Sequence, residues 1–341
     1  MGVVLIDGSS GEGGGQILRT SLALSCITGK PLRISNIRAA RRNPGLARQH
    51  LVCVQAACEI SKGRCGGDAL GSQILDFKPG PVRSGDYHFD IGSAGSAALV
   101  VQTVLPALFG AYKPSRVTVT GGTHNPWAPP FDFLSETFLP AIATAGFSAD
   151  CKLISHGFYP AGGGKMTFRI EPAQQPPQPI DLCTGENEHQ IHARIYTAKL
   201  PAQIARRQEE LLLQSALNIA EIEHIEATDS QGPGNCIMIR LLAPGRTTVF
   251  TAFGQKGKPS KKVVGEVANL AQDFLKNDAA VDRFLADQLL IYMALSNAGD
   301  FTTSELSNHL LTNIEVIKQF LPVDFNTAEQ GRKYRVSCRP A

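Results

Sequence analysis

F-T-T-S-E-L-S-N-H-L-L-T-N-I-E-V-I-K-Q-F-L, residues Phe301 to Leu321, reads as an extended segment, a polar loop and a helix. Apolar residues recur at Ile314, Ile317 and Leu321, and Thr312 followed by Glu315 has capping-box spacing, so the helix is expected from Asn313 onward. Pro322 stops it. This places His309 just ahead of a helix N-terminus, where free backbone N–H groups favour anions such as phosphate. A neutral imidazole there can serve as nucleophile, base or ligand. A single loop histidine is more often structural or incidental. What singles this one out is that the rest of the chain repeats the same arrangement.

Working outward, the chain opens on a short buried-strand run, Val3 to Ile6, followed by the loop G-S-S-G-E-G-G-G-Q (Gly8 to Gln16). Four glycines flank Glu12, so the backbone can approach a ligand closely. A helix is expected over Ile17 to Ile27, closed by Gly29, then a strand over Leu32 to Ile37. The basic loop R-A-A-R-R-N-P-G (Arg38 to Gly45) leads into a helix from Leu46 to Ile60. The order repeats with a strand at Tyr87 to Ile91, a small-residue loop from Gly92, and a helix from Leu99 to Gly110. A strand at Ser115 to Thr120, the loop G-G-T-H-N-P-W-A-P-P (Gly121 to Pro130) and a helix from Phe131 to Ala145 follow. The third copy has a helix at Val281 to Asn297 closed by Gly299, then the opening stretch. Trailing strands are expected at Gln73 to Phe77, at Ser148 to Ser155 with Lys165 to Ile170, and at Lys333 to Cys338.

The fold class is therefore α/β (α+β): three tandem βαβαββ-type repeats forming a large domain, with a smaller βαβββα-like domain inserted in the third. The large domain is expected over 1–183 and 279–341, and the insert over 184–278. A proline-rich junction, P-A-Q-Q-P-P-Q-P (Pro172 to Pro179), precedes the insert. Within it we expect a strand at Ile191 to Leu200, a long helix at Pro201 to Ile219, strands at Ile225 to Thr228, Cys236 to Leu242 and Thr247 to Phe253, and a helix capped by Ser260.

A chain of 341 residues can bury a large core, and a net charge of +3 restricts any nucleic-acid site to a local patch. The eight cysteines form no C-x-x-C pair and read as reduced thiols of a cytosolic protein, with no zinc site. The first residues go straight into a strand. With no basic leader and no long apolar span, we expect no export, no membrane crossing and a cytoplasmic location.

If the repeats pack with pseudo-symmetry, the loops before their helices converge on one rim. Glu12 and Asp287 would supply carboxylates, either suited to a divalent cation shared with substrate phosphates. Arg19, Arg38, Arg41, Arg42 and Arg48 are cationic forks suited to phosphate. Gln49, His50, Gln102 and Gln288 offer neutral hydrogen bonds. Each has a plainer reading: glycine loops also merely turn the chain, a basic run is also a solvated face, and Asp287 can simply pair with an arginine. G-E-G-G-G-Q is neither a Walker A motif nor a dinucleotide fingerprint. His124 and His156 lie beside glycine-rich turns; the remaining histidines read as structural.

The stretches G-E-G-G-G-Q-I-L-R (Gly11 to Arg19), P-G-L-A-R-Q-H (Pro44 to His50), G-S-A-G-S (Gly92 to Ser96) and H-G-F-Y-P-A-G-G-G (His156 to Gly164) resemble the RNA 3′-terminal phosphate cyclase family. So do D-S-Q-G-P-G-N (Asp229 to Asn235), L-A-D-Q (Leu285 to Gln288) and N-H-L-L-T-N-I (Asn308 to Ile314). The resemblance spans nearly the whole chain. It implies an ATP-dependent ligase-class enzyme that converts an RNA 3′-phosphate end into a 2′,3′-cyclic phosphodiester, with Mg²⁺ or Mn²⁺ as divalent cation. By position, His309 is similar to the residue that becomes adenylylated, and Glu12 to the metal-binding carboxylate. Arg19, Arg38, Arg41, Gln49, His50, Gln102, Asp287 and Gln288 are similar to nucleotide and phosphate contacts. Pro129 and Phe284 resemble the walls of the adenine slot, with Phe where the family pattern has Tyr; stacking survives that change and a hydroxyl hydrogen bond does not. The implied partners are RNA 3′-phosphate ends, no membrane, and a second copy if the chain forms a homodimer. Two other readings are a non-catalytic RNA-processing relative of the same fold and an enolpyruvyl transferase, which shares the repeat architecture but needs no adenylylated histidine.

Overall fold

The computed structural model describes residues 2–173, 176–186 and 188–341. Its first sheet is built from β1 (Val4–Asp7), β2 (Leu32–Ser35), β3 (Arg64–Gly66) and β4 (Leu75–Lys78), in the order β1-β2-β4-β3. β1 and β2 run parallel, and the crossover between them is α1 (Gly15–Thr28); α2 (Arg48–Ser61) follows β2. The second sheet repeats this with β5 (Asp86–Asp90), β6 (Ser115–Gly121), β7 (Ala149–Ser155) and β8 (Gly164–Ile170) in the order β5-β6-β8-β7. Its helices are α3 (Ala97–Leu108) and a run made of α4 (Phe131–Phe133), a π-helical turn (Leu134–Phe138) and α5 (Leu139–Ala143).

The third sheet starts at β9 (Ile180–Leu182), before the insert, and resumes after it. The insert has its own sheet, from β10 (Gln190–Ala198), β11 (Ile219–Glu226), β12 (Gly234–Ala243) and β13 (Arg246–Phe253), ordered β11-β10-β12-β13. α6 (Ala202–Leu213) and α7 (Ser260–Leu275) pack on one face of it. The third repeat then continues with α8 (Arg283–Leu295), β14 (Gly299–Thr303), α9 (Asn308–Phe320), β15 (Val323–Gln330) and β16 (Lys333–Pro340). β14 pairs in parallel with β9 and antiparallel with β16, which completes the same four-stranded pattern. The α/β class, the three βαβαββ repeats and the βαβββα insertion all hold.

Several local expectations change. α9 begins at Asn308 and is capped by Ser307, whose hydroxyl accepts from the Leu310 N–H; Thr312 sits inside the helix. His309 is therefore in the first turn, not ahead of it. α8 closes through Ser296 and the left-handed Asn297, leaving Gly299 to open β14. The expected helix over Pro201 to Ile219 stops at Leu213, and α7 is preceded by Pro259, with Ser260 already helical. The Cys58 and Cys65 sulfurs lie 2.13 Å apart as a disulfide, against the reading of eight reduced thiols; the other six cysteines are free. The junction Pro172 to Pro179 includes Gln174 and Gln175, which lie outside the described residues. Among the described residues no helix is long and apolar enough to cross a membrane.

The insert is fastened to the second repeat by buried charge. Asp132, in α4, accepts hydrogen bonds from Arg194 Nη1 at 3.0 Å and the Tyr196 hydroxyl at 2.6 Å, both on β10, while its other oxygen lies 3.1 Å from His124 Nε2. Glu136, in the π-helical turn, pairs with Arg194 at 2.5 Å and Arg240 at 2.7 Å. Burial pushes the Asp132 carboxyl up, but the His124 and Tyr196 hydrogen bonds and the Arg194 charge outweigh it and hold it at about 2. Breaking one member of such a network leaves its partners desolvated and unpaired. Asp132→Ala is expected to lower stability by about 3–5 kcal/mol in urea unfolding. A loss below about 1 kcal/mol would show that water replaces the carboxylate.

Candidate active site

Five parallel strands of the three repeats deliver the chain to a helix at their carboxyl ends: β1 to α1, β2 to α2, β5 to α3, β6 to α4 and β14 to α9. In such sheets ligands bind in the crevice outside the carboxyl ends. α1, α8 and α9 are tied together there. Thr20 in α1 donates to Asn313 Oδ1 at 2.7 Å, and Asn313 Nδ2 donates to the Asp287 carbonyl at 2.8 Å.

The glycine loop closes on this seam. The Glu12 N–H donates to Thr312 Oγ1 at 3.1 Å. A side chain on Gly11, whose φ is +54°, would meet that hydroxyl at 2.2 Å, so this left-handed, crowded position needs glycine. A Cβ on Gly15 would sit 2.2 Å from His50 Nε2 and 3.0 Å from Arg19 Nη1, so the bare backbone is what lets these two side chains come close.

His309, half exposed, has Nδ1 2.7 Å from Gln16 Oε1 and 3.3 Å from Glu12 Oε2. Gln16 Nε2 in turn donates to Asp287 Oδ2 at 2.8 Å, which fixes the orientation of the amide. With an acceptor facing it, Nδ1 is the nitrogen suited to carry the proton of a neutral ring, which would leave Nε2 its lone pair; Nε2 has no hydrogen-bond partner among the described residues. Arg41 pairs with the other oxygen of Glu12 and offsets its charge. Glu12 Oε2 is buried and makes no hydrogen bond.

Asp287 and His50 are both perturbed by their surroundings. Burial, reinforced by nearby Asp282 and opposed by Gln16 and Arg19, pushes the Asp287 carboxyl up to about 7. Burial, then the charges of Arg19, Arg38 and Arg41, push the His50 imidazole down to about 3, so it is neutral. Its Nδ1 is buried without a partner. Because burial favours the neutral Asp287 acid, the folded protein keeps a proton that the unfolded chain releases near pH 3.8. Stability is therefore expected to fall as pH rises from about 4 to 7, by on the order of 2–4 kcal/mol. Asp287→Asn should flatten that slope in urea titrations across the window; an unchanged slope would place the proton elsewhere.

Glu12, Arg19, Arg41, His50, Asp287 and His309 thus meet in one cluster. Gln102 Nε2 donates to Gln288 Oε1, and Gln288 Nε2 donates to the Phe284 carbonyl at 2.6 Å. Gln49 Oε1 accepts from the Ser96 N–H at 3.0 Å, so it joins the first repeat to the N-terminus of α3. Arg38 instead spends its guanidinium on the carbonyls of Asn43 and Gly45 and shapes its own loop. Phe284 is 41% exposed, with the Arg283 guanidinium 4.8 Å from its ring centre, and Pro129 is partly buried just before α4. Sequence reasoning overlooked Gln16, Thr312 and Asn313, although all three stand inside the motifs quoted above. Each has a partner 271 to 300 residues away in the chain, and no local pattern marks them.

The family model described as RNA 3′-terminal phosphate cyclase matches residues 10–327. A protein of that name from Koribacter versatilis is 48% identical over 99% of this chain and 95% of its own. Its namesake from Salmonella enteritidis is 46% identical over 98% of this chain and 99% of its own. The namesake from Ectopseudomonas mendocina is 44% identical over 96% of both. Identity at this level over nearly the whole length of both chains means that the chain belongs to the RNA 3′-terminal phosphate cyclase family.

Proposed function

We propose that this protein uses ATP to convert an RNA 3′-terminal phosphate into a 2′,3′-cyclic phosphodiester, with His309 as the nucleophile. The observation that carries the reading is the Gln16 bridge. It holds the Nδ1 proton of His309 and leaves the Nε2 lone pair free on a half-exposed ring. In the first step Nε2 attacks the α-phosphorus of ATP; an N–P bond forms, the bond to the bridging oxygen breaks, and pyrophosphate leaves. An oxygen of the RNA 3′-phosphate then attacks the same phosphorus, the N–P bond breaks, and AMP passes to the RNA end as a phosphoanhydride. Finally the adjacent 2′-hydroxyl attacks the RNA phosphorus, loses its proton to solvent and expels AMP. The ribose already positions that hydroxyl, so intramolecularity supplies much of the rate. The requirement for a 2′-hydroxyl selects RNA over DNA.

Arg19, Arg41 and the neutral, unpartnered His50 suit the phosphate oxygens; Gln102, Gln288, Phe284 and Pro129 suit the nucleoside. A divalent cation fits Glu12, whose buried Oε2 lacks a hydrogen bond. No group of three His, Cys, Asp or Glu side chains gathers to hold a metal among the described residues. Glu12 would therefore be joined by ATP phosphates and water, and the bound ion would offset charge on the departing pyrophosphate. The division into 1–183 with 279–341 as catalytic domain and 184–278 as insert belongs to the same proposal. The test is incubation with α-labelled ATP and Mg²⁺ or Mn²⁺, then acid treatment. Acid-labile label on the protein is expected, and its absence would remove the reading.

A further inference from the structure

We infer that Trp127 and Tyr159 form a stacking platform for the nucleobase at the 3′ end of single-stranded RNA, an inference that rests on the function proposed above. Trp127 is 77% exposed and Tyr159 is 59% exposed. Their ring centres are 6.1 Å apart with planes at 78°, an edge-to-face pair standing in solvent. Neither ring is placed there by burial. The two loops that carry them are stapled by backbone instead: the Thr123 and His124 N–H groups donate to the Gly157 carbonyl at 2.9 and 3.1 Å, and the Gly157 N–H donates to Thr123 Oγ1 at 2.9 Å. Beneath Tyr159, Phe158 is buried against the His124 ring. Two large aromatic faces are thus held rigidly and left wet, which suits a π-faced ligand that arrives later.

The platform stands on the rim of the candidate site. Gly121 and Gly164 are register partners, so both aromatic loops leave the carboxyl end of β6. Asn125 Nδ2 donates to the Ala94 carbonyl at 2.7 Å, and Gly162 packs against Ala94. That loop leads to Ser96, whose N–H is bonded to Gln49. Two exposed cations reach the loops that adjoin the aromatic ones. The exposed Arg48 guanidinium lies against Gly92, and Lys199 Nζ donates to the Gln231 carbonyl at 2.8 Å, with the Gln231 side chain over Gly163. Neither cation forms an ion pair among the described residues. Two acids stand on the same loops and both are engaged: Asp229 is 2.7 Å from His156 Nδ1, and Asp90 accepts from the Gly92 N–H at 2.9 Å. Exposed aromatic faces with cations on the adjoining loops fit a base carried on a phosphate backbone.

Trp127 is the only tryptophan of the chain, so its fluorescence reports on the platform alone. Titrating the full-length protein with a single-stranded oligoribonucleotide 3′-phosphate is expected to quench that emission to saturation. By anisotropy of a labelled oligonucleotide, Trp127→Ala is expected to weaken binding about ten-fold, with Trp127→Phe close to wild type and adenylylation from ATP unchanged. Binding by anisotropy with unaltered emission and a wild-type affinity for Trp127→Ala would overturn the platform and leave the cyclase reading standing. Loss of adenylylation in Trp127→Ala would also overturn it, because the ring would then serve the nucleotide. Wild-type protein that takes label from ATP but binds no RNA would remove both the platform and the RNA substrate.

Discussion

His309→Ala is expected to take no label from α-labelled ATP and to lose cyclisation by on the order of 10⁴-fold or more, while unfolding at the wild-type urea concentration. His309 lies in the exposed first turn of α9 and its ring contributes little to packing. Among the described residues the ring's one hydrogen bond is to Gln16, and the helix is capped by Ser307, not by the imidazole. Removing the ring therefore deletes the proposed nucleophile without opening a cavity. No neighbour can substitute for it: His50 is buried, and the carboxylate of Glu12 is paired with Arg41. If the alanine variant still carries acid-labile AMP, the nucleophile is another residue and the proposed mechanism is wrong. RNA supplied already as the AMP anhydride provides the control. The variant should still cyclise it, because the last step needs only orientation of the 2′-hydroxyl.

Gln16→Leu is expected to slow adenylylation by roughly 10²–10⁴-fold, largely in kcat, with the KM for ATP little changed. Leucine keeps the volume but removes both the acceptor for Nδ1 and the donor to Asp287. The imidazole is then free to carry its proton on Nε2, where the lone pair is lost to nucleophilic attack. Nitrogen NMR of labelled histidine distinguishes this from a general loss of structure. The wild type should show the Nδ1–H tautomer at position 309, and the variant a mixture. A variant with wild-type kcat, or with the tautomer undisturbed, would show that Glu12 alone orients the ring from 3.3 Å.

Much of the architecture was readable because its elements obey their own periodicities. α1 and α2 sit within two residues of their expected spans, since each carries a buried apolar stripe and ends in a left-handed residue. The elements that escaped are those whose pattern is weak or deceptive. β15 is exposed over most of V-D-F-N-T-A-E-Q, so little apolar alternation marks it, and β9 has only three residues. β11 was expected only over Ile225 to Thr228 but starts at Ile219; it is an edge strand with a register shift against β10 and is only partly buried, so its apolar alternation is weak.

The sequence by itself determined the class of fold and the repeat order, because residue type and local spacing carry that information; its quoted motifs carried the resemblance to the family and named the candidate histidine, carboxylates and arginines. Only the tertiary structure decided which of those groups meet. It set Arg38 to bracing its own loop and brought Arg41 to Glu12. It laid Gln16 between His309 and Asp287, across 293 and 271 residues of chain. A tautomer is chosen by whichever acceptor stands within hydrogen-bonding distance, and that distance exists only after the three repeats have closed on one another.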